Sequence, residues 1–144
     1  MLVLNDTQFN TAIDTLGKST SWAIDCETNG LDAYSYHQLC GVGVAIPDHT
    51  FYFPFRHQSL GGNLDPMYLS PLFEEINKLE QVIAYNLKFD VPFLEKEGMS
   101  ADDKELIDVI VMARLTESSS VDTLSLTETI TRRFGANSAA YDKE

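Results

Sequence analysis

The sequence predicts a mixed α/β domain built on a central sheet flanked by helices. Two observations carry this reading. Four short apolar runs, at residues 21–26, 39–46, 51–55 and 81–85, are rich in β-branched and aromatic side chains and end in turn residues. Between and after them lie stretches whose apolar residues recur at helical spacing. Strands come first, then alternating helix and strand, then helices, an order that suits one layered sheet. At 144 residues the chain is long enough for a sizeable single core.

Taken in order, residues 2–4 read as a short strand or extended lead-in. Asn5-Asp6-Thr7 offers a helix cap, and Phe9, Ile13 and Leu16 fall on one helical face before Gly17 stops it. Residues 21–26 form a strand, with Thr28-Asn29-Gly30 as its turn. Residues 39–46 are a second strand, thinned by Gly41 and Gly43. A turn at 47–50 leads to a third strand at 51–55, so the three make an antiparallel meander. A loop follows over 56–66. Ser70-Pro71 starts a helix as cap and first-turn proline, running to Leu79. Residues 81–85 are the fourth strand. A helix carrying Phe89, Phe93 and Leu94 closes at Gly98, and two more helices are expected over 105–117 and 123–134, the last followed by Gly135. Ser118-Ser119-Ser120 is a short linker.

Composition narrows the class. A hydrophobic content of 44% argues against disorder. No apolar run approaches the length of a membrane span, and the N-terminus lacks a signal peptide's basic region, so no membrane association is expected. Cys26 and Cys40 have no metal-binding spacing and suit two free thiols in a reducing, cytoplasmic setting. The net charge of −12 disfavours broad electrostatic binding of nucleic acid. An enzyme holding a few nucleotides through metal ions remains compatible, with a basic neighbour delivering the substrate.

The chemistry concentrates in two places. Asp25-Cys26-Glu27 ends the first strand, and Asn86-Leu87-Lys88-Phe89-Asp90 follows the fourth. Residues two apart in a strand share a face, so Asp25 and Glu27 project together and Cys26 points away. Asp90, four residues after Asn86, suits the first turn of a helix that Asn86 would cap or orient. Carboxylates gathered this way repel unless a cation joins them. Three of them could hold two Mg²⁺ or Mn²⁺ ions about 3.5–4 Å apart, which would activate water and stabilise a leaving oxygen. Each motif alone is weak, since solvated Asp-X-Glu strand ends and Asn helix caps are both common. The joint pattern is specific.

Over residues 20–134 these features resemble the first two motifs of the DEDD superfamily of 3′→5′ exonucleases. The form is that of the proofreading domains of family A DNA polymerases. The resemblance implies a ribonuclease-H-like fold. It makes Asp25, Glu27 and Asp90 the catalytic metal ligands, with Asn86 in the second motif. It implies that Leu31 wedges against the terminal base, that Phe89 lies by the scissile nucleotide, and that Thr28 joins the substrate-binding set. Asp108, where family members often have an aspartate near the site, is a candidate substitute ligand. A helix cap or a place behind the ligands is the preferred expectation, because aspartate favours helix starts. The implied substrate is a single-stranded DNA 3′ end, the product a nucleoside 5′-monophosphate, and the partner a DNA polymerase domain in the same or a companion chain.

One departure bears on activity. The family's third motif is a Tyr-X-X-X-Asp or His-X-X-X-Asp on a late helix. Here Tyr141-Asp142-Lys143-Glu144 ends the sequence before the aspartate. The expectation is one exonuclease-like domain over residues 1–144 that lacks the C-terminal part of the family domain. A stand-alone exoribonuclease and a catalytically silent docking domain are the alternative readings. His37, His49 and His57 are scattered without i,i+4 pairing, and Arg132-Arg133 suit a helix C-terminus. Gly41-Val42-Gly43 is no dinucleotide fingerprint; glycines there mark a bulge or close packing.

Overall fold

A computed structural model describes residues 1–58, 61–117 and 125–135. Five strands form one sheet in the order β3-β2-β1-β4-β5. They are β1 (Ser21–Thr28), β2 (Leu39–Ile46), β3 (His49–Pro54), β4 (Gln81–Ala84) and β5 (Glu105–Asp108). β1, β2 and β3 pair antiparallel as the expected meander, while β4 and β5 join β1 in parallel. The helices are α1 (Asp6–Leu16), α2 (Leu69–Asn77), α3 (Leu87–Lys96), α4 (Val109–Thr116) and α5 (Leu126–Phe134).

Burial alternates along β1: Trp22, Ile24 and Cys26 are buried, whereas Asp25 and Glu27 are exposed. One sheet face therefore builds the core. Trp22, Ile24, Val42, Val44, Phe53 and Val82 pack there against Phe9, Ala12 and Leu16 of α1, Leu72 and Ile76 of α2, and Phe93 and Leu94 of α3. The Phe9 and Phe53 rings meet edge-on at 6.0 Å. Trp22 is 1% exposed, and its indole N–H donates to the Leu16 carbonyl at 3.1 Å, fixing the end of α1 against the sheet. Trp22→Phe removes that bond and leaves a void. We expect it to cost about 1–2 kcal/mol, read as a lower urea midpoint at unchanged slope.

Several expectations change. Of the two readings of residues 2–4 the extended lead-in holds, with only an isolated bridge from Leu2 to Tyr52. β1 continues through Thr28 instead of stopping at Cys26. Ser70 does not cap α2. That helix starts at Leu69, continuing a 3-10 turn (Pro66–Tyr68) capped by Asp65, and the Ser70 hydroxyl donates to Glu74. The expected helix over 105–117 is a strand and then a helix, because residues 105–108 pair in register with 81–84. α5 begins at Leu126, behind a Ser125–Glu128 capping box, and the expected start at Thr123 lies outside the described residues. So do the Ser118-Ser119-Ser120 linker and the Tyr141-Asp142-Lys143-Glu144 terminus. Cys26 and Cys40 are both free and buried. Among the described residues, no helix is long and apolar enough to cross a membrane.

Candidate active site

Period-2 geometry places Asp25 and Glu27 on the sheet face away from the core, at the C-terminal end of β1. The β1–β2 register slips between Glu27 and Thr28, leaving Cys40 as the extra residue of a bulge on the neighbouring strand. A bulge twists a strand end, and this one lies beside the carboxylates. On the other side β4 pairs with β1 only as far as Ala23, so the β1 backbone beyond it has a free edge.

Asp90 closes that edge from the first turn of α3. It is 3% exposed, and its Oδ1 accepts the Cys26 N–H at 3.0 Å, across 64 residues of sequence. Burial pushes the Asp90 carboxyl up to about 6; the Cys26 N–H pulls it back and the Asp25 charge adds to the rise. Although Asp25 is exposed, its carboxyl is also raised, first by partial loss of water around it and second by the Glu27 charge. The Cys26 thiol is held far above its usual range by burial and then by Asp90, so it is a neutral core group rather than a nucleophile. Asp25 and Glu27 thus share a face, Asp90 is bonded to the backbone between them at Cys26, and the Glu27 charge raises Asp25 as the Asp25 charge raises Asp90.

α3 is positioned by Asp108. Its Oδ1 accepts the Asn86 and Ile110 N–H groups at 3.0 Å, and its Oδ2 accepts the Leu87 N–H at 3.0 Å. One carboxylate therefore caps α4 and also gathers the first N–H groups of α3. The expected capping role of Asn86 is corrected in part. Asn86 occupies the cap position but is left-handed, φ 70° and ψ 50°, and its side chain makes no cap bond. Asn tolerates that conformation better than most residues, and the turn presents two successive N–H groups to one anion. Asp108 is a positioning residue for the helix that carries Asp90.

The substrate-side expectations separate. Leu31 projects into solvent at 85% exposure. Phe89 is half-buried, 5.4 Å from the Phe93 ring, and lines a cleft of about 240 Å³ with Leu31, Tyr34 and Lys88. The Thr28 hydroxyl is spent locally, donating to the Gly30 carbonyl at 2.7 Å. The sequence reading missed Tyr52. Its ring lies across the two β2 glycines, and its hydroxyl is hydrogen-bonded to His57 Nε2. A Cβ at Gly41 would sit 2.1 Å from the Tyr52 oxygen, so the glycine is required by that close approach. Gly41 pairs with Glu27, which puts the Tyr52–His57 pair on the carboxylate face. Burial, then the Glu27 charge, keeps the Tyr52 phenol neutral and raised. Beside it a cavity of about 420 Å³ opens between Asp25, Gly43, Tyr52, Tyr85 and Leu126.

The donor set of Asp25, Glu27 and Asp90 is all carboxylate oxygen, which suits hard divalent cations such as Mg²⁺ or Mn²⁺. No ion pair among the described residues neutralises any of the three. Their spacing is not that of a closed cage: among the described residues, no three His, Cys, Asp or Glu side chains group around one point. The all-oxygen chemistry of the set, rather than its spacing, is what fits a divalent ion; Asp90 already accepts the Cys26 N–H through Oδ1. In the metal-free protein, Asp25→Ala removes one of the repelling charges. We expect its stability to stay within about 0.5 kcal/mol of the parent or to rise slightly. A clear loss in thermal unfolding would contradict the repulsion.

No protein-family model matches the sequence, and no curated protein matches it significantly. Solved structures do. The EXO domain of Aedes aegypti Nibbler superposes with a TM-score of 0.67 at 14% identity, over 93% of this chain and 67% of that one. Escherichia coli RNase D, an exoribonuclease involved in structured RNA processing, gives 0.63 at 15%, over 94% and 33%. Brucella melitensis NrnC gives 0.61 at 19%, over 83% and 54%. This chain thus spans about two thirds, one third and one half of the lengths of these proteins. The five-stranded mixed sheet in the order β3-β2-β1-β4-β5, flanked by helices, is the ribonuclease-H-like fold that the chain shares with these structures.

Proposed function

We propose that this chain is a 3′→5′ exonuclease domain that hydrolyses the terminal phosphodiester of a single strand. The observation that supports the reading is the bond from the Cys26 N–H to Asp90 Oδ1, which ties the helix bearing the second-motif carboxylate to the β1 backbone between Asp25 and Glu27. Asp25, Glu27 and Asp90 would hold divalent ions. When bound, such ions supply charge for the phosphate and an activated water. The chain's own groups do the rest. The two β1 carboxylates present oxygen donors on an open face, and Asp90 is fixed through α3 by Asp108. Leu31 and Phe89 line one cleft, which would receive a terminal base. The product is a nucleoside 5′-monophosphate.

For the substrate, the Asp25-Cys26-Glu27 and Asn86-to-Asp90 motifs support a proofreading domain that works on DNA beside a polymerase domain. The likeness to RNase D, itself an exoribonuclease, favours a second reading in which the strand is RNA. Digestion of DNA and RNA strands of one sequence in Mn²⁺, with products identified by chromatography, decides between them. Faster release of deoxynucleoside 5′-monophosphates supports the first reading, and faster release of ribonucleoside 5′-monophosphates the second. Nucleoside 3′-monophosphates would overturn both.

A further inference from the structure

The loop from Asn29 to Gln38 joins β1 to β2 and is built as a rigid display. Lys96 of α3 donates from Nζ to three of its carbonyls, Ala33 at 3.1 Å, Ser35 at 3.0 Å and His37 at 2.8 Å. Its ends are tied together, Asn29 N–H to the Gln38 carbonyl at 3.1 Å and Gln38 N–H to Asn29 Oδ1 at 2.6 Å. The His37 ring fills the space where a Cβ on Gly30 would stand, 2.1 Å away. Yet this fixed loop holds Tyr34 and Tyr36 in water at 89% and 84% exposure. Ordering a loop so that large aromatic side chains stay solvated gains nothing from burial within the chain. The gain comes when something covers them.

The surroundings of Tyr34 indicate what. It lines the cleft of about 240 Å³ that Leu31, Lys88 and Phe89 also line. Arg56, Lys78, Arg132 and Arg133 are spent in ion pairs, and Lys96 and Lys104 on carbonyls. Lys88 is exposed and enters no ion pair among the described residues, in a chain of net charge −12. Asp32, the acid in the cleft, accepts the Tyr34 N–H at 2.9 Å through Oδ1 and so is partly committed to the loop. A flat aromatic face and a free ammonium side by side match a base and its phosphate.

We propose that Tyr34, with Lys88, forms a stacking position for single-stranded nucleic acid, beyond the Leu31 and Phe89 contacts implied for the terminal base. This rests on the exonuclease reading and extends its substrate contact outward along the strand. Every base has a π-face, so the position takes DNA and RNA alike.

The test is binding of the full chain to fluorescein-labelled 12-nucleotide DNA and RNA strands in Mn²⁺, with hydrolysis-resistant 3′-terminal phosphorothioate linkages. Tyr34→Ala is expected to weaken binding of both strands roughly 5- to 100-fold, and Tyr34→Phe to restore it. Lys88→Gln is expected to flatten the salt dependence by about 0.7 of a log–log unit. Tyr34 is solvated, so loss of folding does not confuse the result. Wild-type binding that Tyr34→Ala leaves within twofold would overturn the stacking position and leave the exonuclease reading standing. An absence of wild-type binding would also overturn it; stepwise Mn²⁺-dependent digestion of unmodified strands then shows whether the exonuclease reading survives.

Discussion

Asp108→Ala is expected to destabilise the metal-free protein by about 3 kcal/mol and to abolish metal binding at a site it does not touch. The carboxylate accepts three backbone N–H groups, from Asn86, Leu87 and Ile110. Hydrogen bonds to a charged group are each worth about 1.5–3 kcal/mol, and a lost helix cap typically about 1. Solvent reaches part of this half-buried cluster, so the sum is well below three full bonds. The second effect follows from placement. Asn86 and Leu87 open α3, and Asp90 lies in its first turn. With those N–H groups unheld, the left-handed turn at Asn86 loses its anion and Asp90 is no longer fixed against Cys26. Asp108→Asn keeps one acceptor oxygen but turns N–H donors toward N–H donors, so it is expected to recover less than half of the stability. Urea unfolding with Mn²⁺ titration of the same samples checks both. A loss under 1 kcal/mol with Mn²⁺ affinity retained would remove Asp108 from the account.

The second large effect is electrostatic. Burial holds the folded Asp90 carboxyl near pH 6, whereas the unfolded value is close to 4. Between those values the folded protein binds a proton that the unfolded chain has released. Metal-free stability therefore falls as pH rises from about 4 to about 6 and levels off above. The full contribution is on the order of 3 kcal/mol. Asp25 is raised as well and adds a slope of the same sign, so the wild type alone does not isolate Asp90. The difference between wild type and Asp90→Asn does. The variant has no charge to bury there; it is expected to lose the Asp90 part of the slope and to be the more stable protein at pH 7.5 without metal. Adding Mn²⁺ at pH 7.5 should reverse the ranking, because ligand binding stabilises only the protein that binds. Parallel stability curves for the two proteins from pH 4 to 7.5 would contradict the assignment.

Local pattern carried much of the fold. Period-2 alternation put Asp25 and Glu27 on one face and Cys26 on the other. The Asn5 cap, Gly17 stop and helical spacing of Phe9 and Leu16 bounded α1 to within a residue or two. Two elements escaped because their cause is not local. The residues Glu105-Leu106-Ile107-Asp108 have no alternation of their own; they are a strand because β4 supplies the partner. α2 was placed from Ser70-Pro71, although Asp65-Pro66 offered the same signal earlier in the chain and is the one used to start the preceding turn.

The site divides in the same way. The shared face of Asp25 and Glu27 was legible because strand periodicity sets residues two apart on one side. What fixes Asp90 was not. The bond from Cys26 to Asp90 crosses 64 residues, and the transfer of the α3 cap from Asn86 to Asp108 crosses 22. Tyr52 escaped because β3 reads as an ordinary apolar strand, and only the pairing of Gly41 and Gly43 beneath its ring shows where it lies. Tyr34 left a weak trace, aromatic residues in a polar turn, whose meaning depends on Lys96 fixing the loop.

The most direct test of the proposed site is Mn²⁺ binding and digestion of a 5′-labelled single strand by the 144-residue chain, with Asp25→Ala alongside. The expected result is Mn²⁺ binding that Asp25→Ala abolishes, with any stepwise shortening from the 3′ end stopping in the variant and in EDTA. Shortening that persists in Asp25→Ala, or Mn²⁺ binding unchanged by that substitution, would contradict it.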